Sequence, residues 1–147
     1  HRLCMNECVS SDILARLLIE RGADVNAKDD RGDTPLIIAC FGGLEDVARL
    51  LIEKRADINA ENNHRNTPLM GACHKGLEDV ARLLIEKGGD VIAKDNNGDT
   101  PLHYAGRANL EDVTRLVIEK GAVVNAKNNS GNTPLIWACE KGHEDVA

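Results

Sequence analysis

The tripeptide Thr-Pro-Leu begins at Thr34, Thr67, Thr100 and Thr133, and every interval between copies is 33 residues. No feature of the chain constrains its fold more. Self-similarity at a fixed period of roughly 20 to 50 residues belongs to arrays of stacked units, not to a single closed core. The agreement reaches well beyond the tripeptide, since residues 34–66 and 67–99 are identical at 20 of 33 positions. The 147 residues divide into units 1–33, 34–66, 67–99 and 100–132 and a partial unit 133–147, together one domain. The first unit opens degenerately, with His1-Arg2-Leu3 in place of the tripeptide.

Each unit reads as two short helices and a turn. Thr at the N-cap followed by Pro at the first helical position starts the first helix, because proline's missing N–H and fixed φ cost nothing there. Gly43, Gly76, Asn109 and Gly142 are residue types that accept the left-handed conformation ending many helices. The second helix runs from Leu44 to Lys54 and through its copies, with acids in the first turn and lysine at the last, a polarity that suits the helix dipole. Glu45 and Arg49, Glu78 and Arg82, and Glu111 and Arg115 stand i,i+4 apart and read as a solvated outer face. Helices this short are marginal alone, so the apolar stripe of Val47, Leu50, Leu51 and Ile52 needs the neighbouring unit to cover it.

Thr-Pro-Leu-x-x-Ala inside a 33-residue unit that ends Gly22-Ala23-Asp24-Val25-Asn26-Ala27 resembles the ankyrin repeat. Arg55-Ala56-Asp57-Ile58-Asn59-Ala60 and Gly88-Gly89-Asp90-Val91-Ile92-Ala93 vary the same ending. The resemblance implies an all-α solenoid of stacked helix-turn-helix units with β-turn fingers projecting to one side. It also implies a protein-binding module, with the partner lying on a concave face made by the fingers and the first helices. Asn26, Asn59 and Asn125 resemble positions that asparaginyl hydroxylases modify in some members.

The chain departs from the pattern at several places. The histidine that follows Thr-Pro-Leu in the family occurs only as His103, with Ile37, Met70 and Ile136 in its other places. Arg55 stands where Gly22, Gly88 and Gly121 end the second helix, and Arg65 where Gly32, Gly98 and Gly131 shape the finger. Arginine is disfavoured at positive φ, so the segment Arg55 to Asn66 is expected to be distorted.

Five cysteines raise a redox or zinc reading. Cys40, Cys73 and Cys139 occupy one position of successive units, where stacked elements lie roughly 8 to 10 Å apart. A disulfide needs Cα atoms within about 7 Å, so these read as inert packing thiols suited to a reducing, intracellular compartment. Cys4 and Cys8 have no paired Cys or His motif to complete a zinc site, and His1, His64, His74, His103 and His143 show no ligand spacing. With no phosphate-binding loop, nucleophile elbow or metalloprotease pair, no enzyme activity, cofactor or metal is expected.

The partner-binding face is read from contrast between units. The second helices are near copies, whereas finger tips and some first-helix positions vary: Arg31, Asp33, Ile38 and Phe41, then His64, Asn66, His74 and Lys75. The set continues with Asn97, Asp99, Tyr104 and Arg107, and ends with Ser130, Asn132, Trp137, Glu140 and Lys141. It holds every aromatic residue of the chain, Phe41, Tyr104 and Trp137. Tyr, Trp and Arg dominate binding hot spots. The alternative is that these rings fill gaps against a neighbouring first helix.

The net charge of −6 and the lack of any Lys-Arg run argue against a nucleic-acid partner. No apolar stretch approaches the roughly 18 residues that cross a bilayer. Scaffold or adaptor, occluding inhibitor, and cytoplasmic array of a larger membrane or signalling protein are the functional classes left. Nothing polar caps the partial unit at Ala147, so further units, or end-to-end packing by another chain, are expected to cover it.

Overall fold

From Pro35 to Glu119 seven-residue and nine-residue helices alternate, each too short to persist alone. The computed structural model describes residues 12–146, with side chains as far as Glu140. Expectations placed on His1, Cys4 and Cys8, and on the side chains of Lys141 and His143, lie outside the described residues. Residues 12–20 form α1. Then come α2 (Pro35–Phe41), α3 (Glu45–Glu53), α4 (Pro68–His74), α5 (Glu78–Glu86), α6 (Pro101–Arg107), α7 (Glu111–Glu119) and α8 (Pro134–Val146), with no strand among the described residues.

Threonine caps the first helices as expected. Thr34, Thr67, Thr100 and Thr133 each accept through Oγ1 from the N–H three residues on, at 3.2 to 3.4 Å. Two backbone bonds end α2: Gly43 N–H donates to Cys40 O at 3.3 Å and Leu44 N–H to Ala39 O at 2.9 Å, a Schellman motif. The same pair follows α4 and α6, with Gly76 and Asn109 in the left-handed conformation. After α1, α3, α5 and α7 the left-handed residues are Gly22, Arg55, Gly88 and Gly121.

The distortion expected between Arg55 and Asn66 does not occur. Arg55 adopts φ 64° and Arg65 φ 62°, while Ala56 N–H still reaches Leu51 O at 3.0 Å and Arg65 N–H still reaches Asn62 O at 2.9 Å. The hydrogen bonds of the turn hold its geometry, and arginine accepts the unfavourable region. Gly142, expected to end the first helix of its unit, lies inside α8 instead.

The first helices pack in a row, α2 on α4, α4 on α6 and α6 on α8, and the second helices likewise, α3 on α5 and α5 on α7. One apolar cluster runs through both rows, from Leu36, Ala39 and Cys40 through Leu69, Ala72, Val80 and Leu84 to Leu102, Val113 and Val117. Burying a Leu84-sized side chain contributes about 1.5 to 3 kcal/mol, and here the cover comes largely from the adjacent unit. Burial pushes the thiols of Cys40 and Cys73 up to about 12, which leaves them protonated packing groups, whereas Cys139 is exposed and does not take the packing role expected of it, since no further unit covers it among the described residues. Outside the core, Arg49 bonds Glu45 at 2.9 Å and Asp79 of the next unit at 3.0 Å, and Arg115 pairs with Glu111. Arg82 turns to Asp79 at 3.7 Å instead of Glu78. No helix among the described residues is long and apolar enough to cross a membrane.

Candidate partner-binding surface

The fingers are built by one residue type at one place. Oδ1 of Asp29, Asn62, Asp95 and Asn128 accepts from the N–H groups two and four residues on, between 2.9 and 3.0 Å. Such Asx turns stand in for part of a backbone turn. Neighbouring fingers then bond to each other: Asn63 N–H to Arg31 O, Asn96 N–H to His64 O and Asn129 N–H to Asn97 O, each at 2.9 Å. Acid and amide alternate from unit to unit, Asp29 with Asp33, Asn62 with Asn66, Asp95 with Asp99, Asn128 with Asn132. Asn62 Nδ2 thus donates to Asp33 Oδ1 at 2.8 Å, and Asn128 Nδ2 to Asp99 Oδ1 at 2.9 Å, without two carboxylates meeting across either contact.

Along the first helices the rings form a line. Phe41 and His74 centroids are 6.1 Å apart, His74 and Tyr104 6.0 Å, and Tyr104 and Trp137 6.3 Å, the last two pairs meeting edge to face. Arg107 lies over Trp137, its guanidinium carbon 5.0 Å from the ring centroid. Phe41 seats on Gly71, where a Cβ would come within 2.6 Å of the ring. Tyr104 donates its hydroxyl to Asp95 Oδ2 at 2.6 Å, and burial together with that carboxylate raises its phenol above the usual range. His103 is fully buried. Its Nδ1 accepts from Thr100 N–H at 3.1 Å, which leaves Nε2 to carry the proton and donate to Asn132 O at 2.9 Å. Partial burial, then Lys75 and Arg107, hold His74 below the usual histidine pKa.

The residues singled out from sequence divide into two groups. The structure brings Phe41, His74, Tyr104, Arg107 and Trp137 together in the ring line, with Ile38, Lys75 and Glu140 exposed on the same helices. Arg31, His64, Asn97 and Ser130 are exposed at the finger tips. Asp33, Asn66 and Asn132 are half-buried at the finger bases, and Asp99, only 4 % exposed, holds Asn128. Burial takes Asp99 out of reach of a partner. The rings combine both readings made of them, for they pack on adjacent first helices and still leave Phe41, Tyr104 and Trp137 half-exposed. Sequence reasoning passed over Asp95 and Gly71. The alternation of acid and amide at the Asx position was the available signal for the first, and a glycine where Tyr104 and Trp137 stand in later units was the signal for the second.

Among curated proteins none matches the chain. A family described as ankyrin repeats (3 copies) matches residues 1–95 and 90–147. Register, helix pairing and fingers agree with that match, and the chain belongs to the ankyrin-repeat family.

Proposed function

We propose that the protein is a scaffold or adaptor that captures a protein partner on the face formed by its first helices and finger tips, in a reducing intracellular compartment. Ankyrin repeats are generally protein–protein interaction modules and generally not catalytic. The observation that carries the reading is the line of half-exposed rings from Phe41 to Trp137. Half-exposed aromatics on rigid helices are pre-ordered anchors, since little side-chain freedom remains to be lost on binding. On the second helices, by contrast, the arginines Arg49, Arg82 and Arg115 are each already paired with a carboxylate.

Tyr104→Ala with Trp137→Ala tests this reading. Proteins captured by the wild-type chain are expected to bind the double variant more than about tenfold more weakly, a loss of roughly 1.4 kcal/mol or more. Helical circular dichroism is expected to persist, and Tyr104→Phe, which keeps the ring, is expected to bind almost normally. Unaltered affinity in a folded double variant would remove this face from the function.

A further inference from the structure

Charge is distributed unevenly over the molecule. First-turn acids Glu45, Asp46, Glu78, Asp79, Glu111 and Asp112 lie on the second helices, where Arg49, Arg82 and Arg115 are each bound to a carboxylate, and the exposed lysines Lys54, Lys87 and Lys120 that cap these helices each follow another acid, Glu53, Glu86 and Glu119. Among the residues with described side chains, the exposed cations of the first-helix row are Arg107 on α6 and Lys75 at the C-cap of α4, and neither forms an ion pair there. Lys75 follows His74 in the chain and Arg107 lies over Trp137, so both stand along the ring line. The carboxylates of the finger that precedes α6 are already committed. Asp95 takes the Tyr104 hydroxyl and two finger N–H groups, Asp99 takes Asn128, and both are buried. Among the residues with described side chains, Glu140 is the exposed acid on the first helices, at the far end of the line.

An aromatic floor flanked by unpaired cations, on a chain of net charge −6, complements carboxylates interspersed with apolar groups. We propose that the segment seated on this face is an acidic stretch of a partner protein, its carboxylates on Lys75 and Arg107 and its apolar side chains on Phe41, Tyr104 and Trp137. This rests on the first-helix face being the docking surface. Arg107 is already oriented by its contact with Trp137, which lowers the cost of ordering it on binding.

Selection of a random twelve-residue peptide display library on the full chain tests the proposal. Enriched peptides are expected to carry Asp or Glu among Leu, Phe or Trp. Their affinity is expected to fall about tenfold on Lys75→Glu with Arg107→Glu and again in 0.5 M NaCl, and to survive Arg107→Lys. Enriched peptides without acidic residues that still lose binding on Tyr104→Ala with Trp137→Ala would overturn the proposal and leave the docking face standing. Peptides indifferent to all four substitutions would overturn the face and the proposal together. Failure to enrich any sequence, or tighter binding of a fluorescent oligothymidine than of the best peptide, would overturn the proposal as well.

Discussion

Two arginines stand in a backbone region that disfavours a side chain. Arg55 and Arg65 occupy left-handed positions that the other units give to glycine, at φ 64° and 62°. A Cβ in that region costs roughly 1 to 2 kcal/mol per residue, offset in part by the greater chain entropy that glycine brings to the unfolded state. The one ion pair that Arg65 makes, with Glu61 at 3.8 Å, is exposed and contributes little. Arg55→Gly with Arg65→Gly is therefore expected to raise the melting temperature by several degrees, corresponding to about 1 kcal/mol. A thermal midpoint unchanged by both substitutions would show that the turns carry no strain. The positions themselves were legible because the signal is local: threonine at a cap, or glycine in three copies and arginine in the fourth, states the required backbone conformation. How the conflict resolves was not legible, since it depends on the hydrogen bonds of the Schellman motif and the finger outweighing a residue's preference. Asp99 was misjudged for a similar reason. Its burial is set by Asn128 in the next finger, 29 residues away.

At the level of elements, three loops share a polar clasp that the fourth lacks. Asp24, Asp57 and Asp90 each accept through Oδ1 from the N–H two residues on, and Asn26 and Asn59 reach across to accept from the N–H of Asp57 and Asp90 at 2.8 Å. In the loop after α7 both parts are gone, because Ile92 replaces the bridging asparagine and Val123 the turn aspartate. Ile92 is 57 % and Val123 60 % exposed, and the two flank a cleft of about 90 Å³ between the third and fourth units. Ile92→Asn with Val123→Asp is expected to restore both hydrogen bonds and stabilise the fold by about 0.5 to 1.5 kcal/mol each, measured by urea denaturation. A midpoint no higher than wild type would show that the apolar pair already substitutes for the clasp. Helix existence and order were legible throughout from Thr-Pro-Leu and the apolar stripe. The continuous α8 was not, because glycine is tolerated inside a helix as well as at its end, and residue type alone does not separate the two. The Asp–Asn matching of fingers also escaped notice, for it appears only once residues 29 apart are known to face each other.

For the molecule as a whole, stability resides in contacts between neighbours. First helices touch first helices and second helices touch second helices, so a unit in the middle is covered on two sides. The outermost helices are covered less: on α8 Leu135 is 70 % exposed, and on α1 Leu14 and Leu18 are exposed, whereas Leu69, Val80 and Leu84 in the middle are fully buried. Free energy of opening should accordingly follow position in the stack, since each unit's stability is its own plus that of its interfaces. Both the repeat and the face it leaves for recognition follow from that arrangement, because rings held on rigid neighbouring helices are available as anchors only while the stack is intact. Amide hydrogen exchange of the full chain measures this directly. Protection is predicted to be greatest in α4 and α5, between Pro68 and Glu86, and to decline toward both α1 and α8. Protection equal along the chain, or weakest in those central helices, would contradict a fold in which each unit is held by the next.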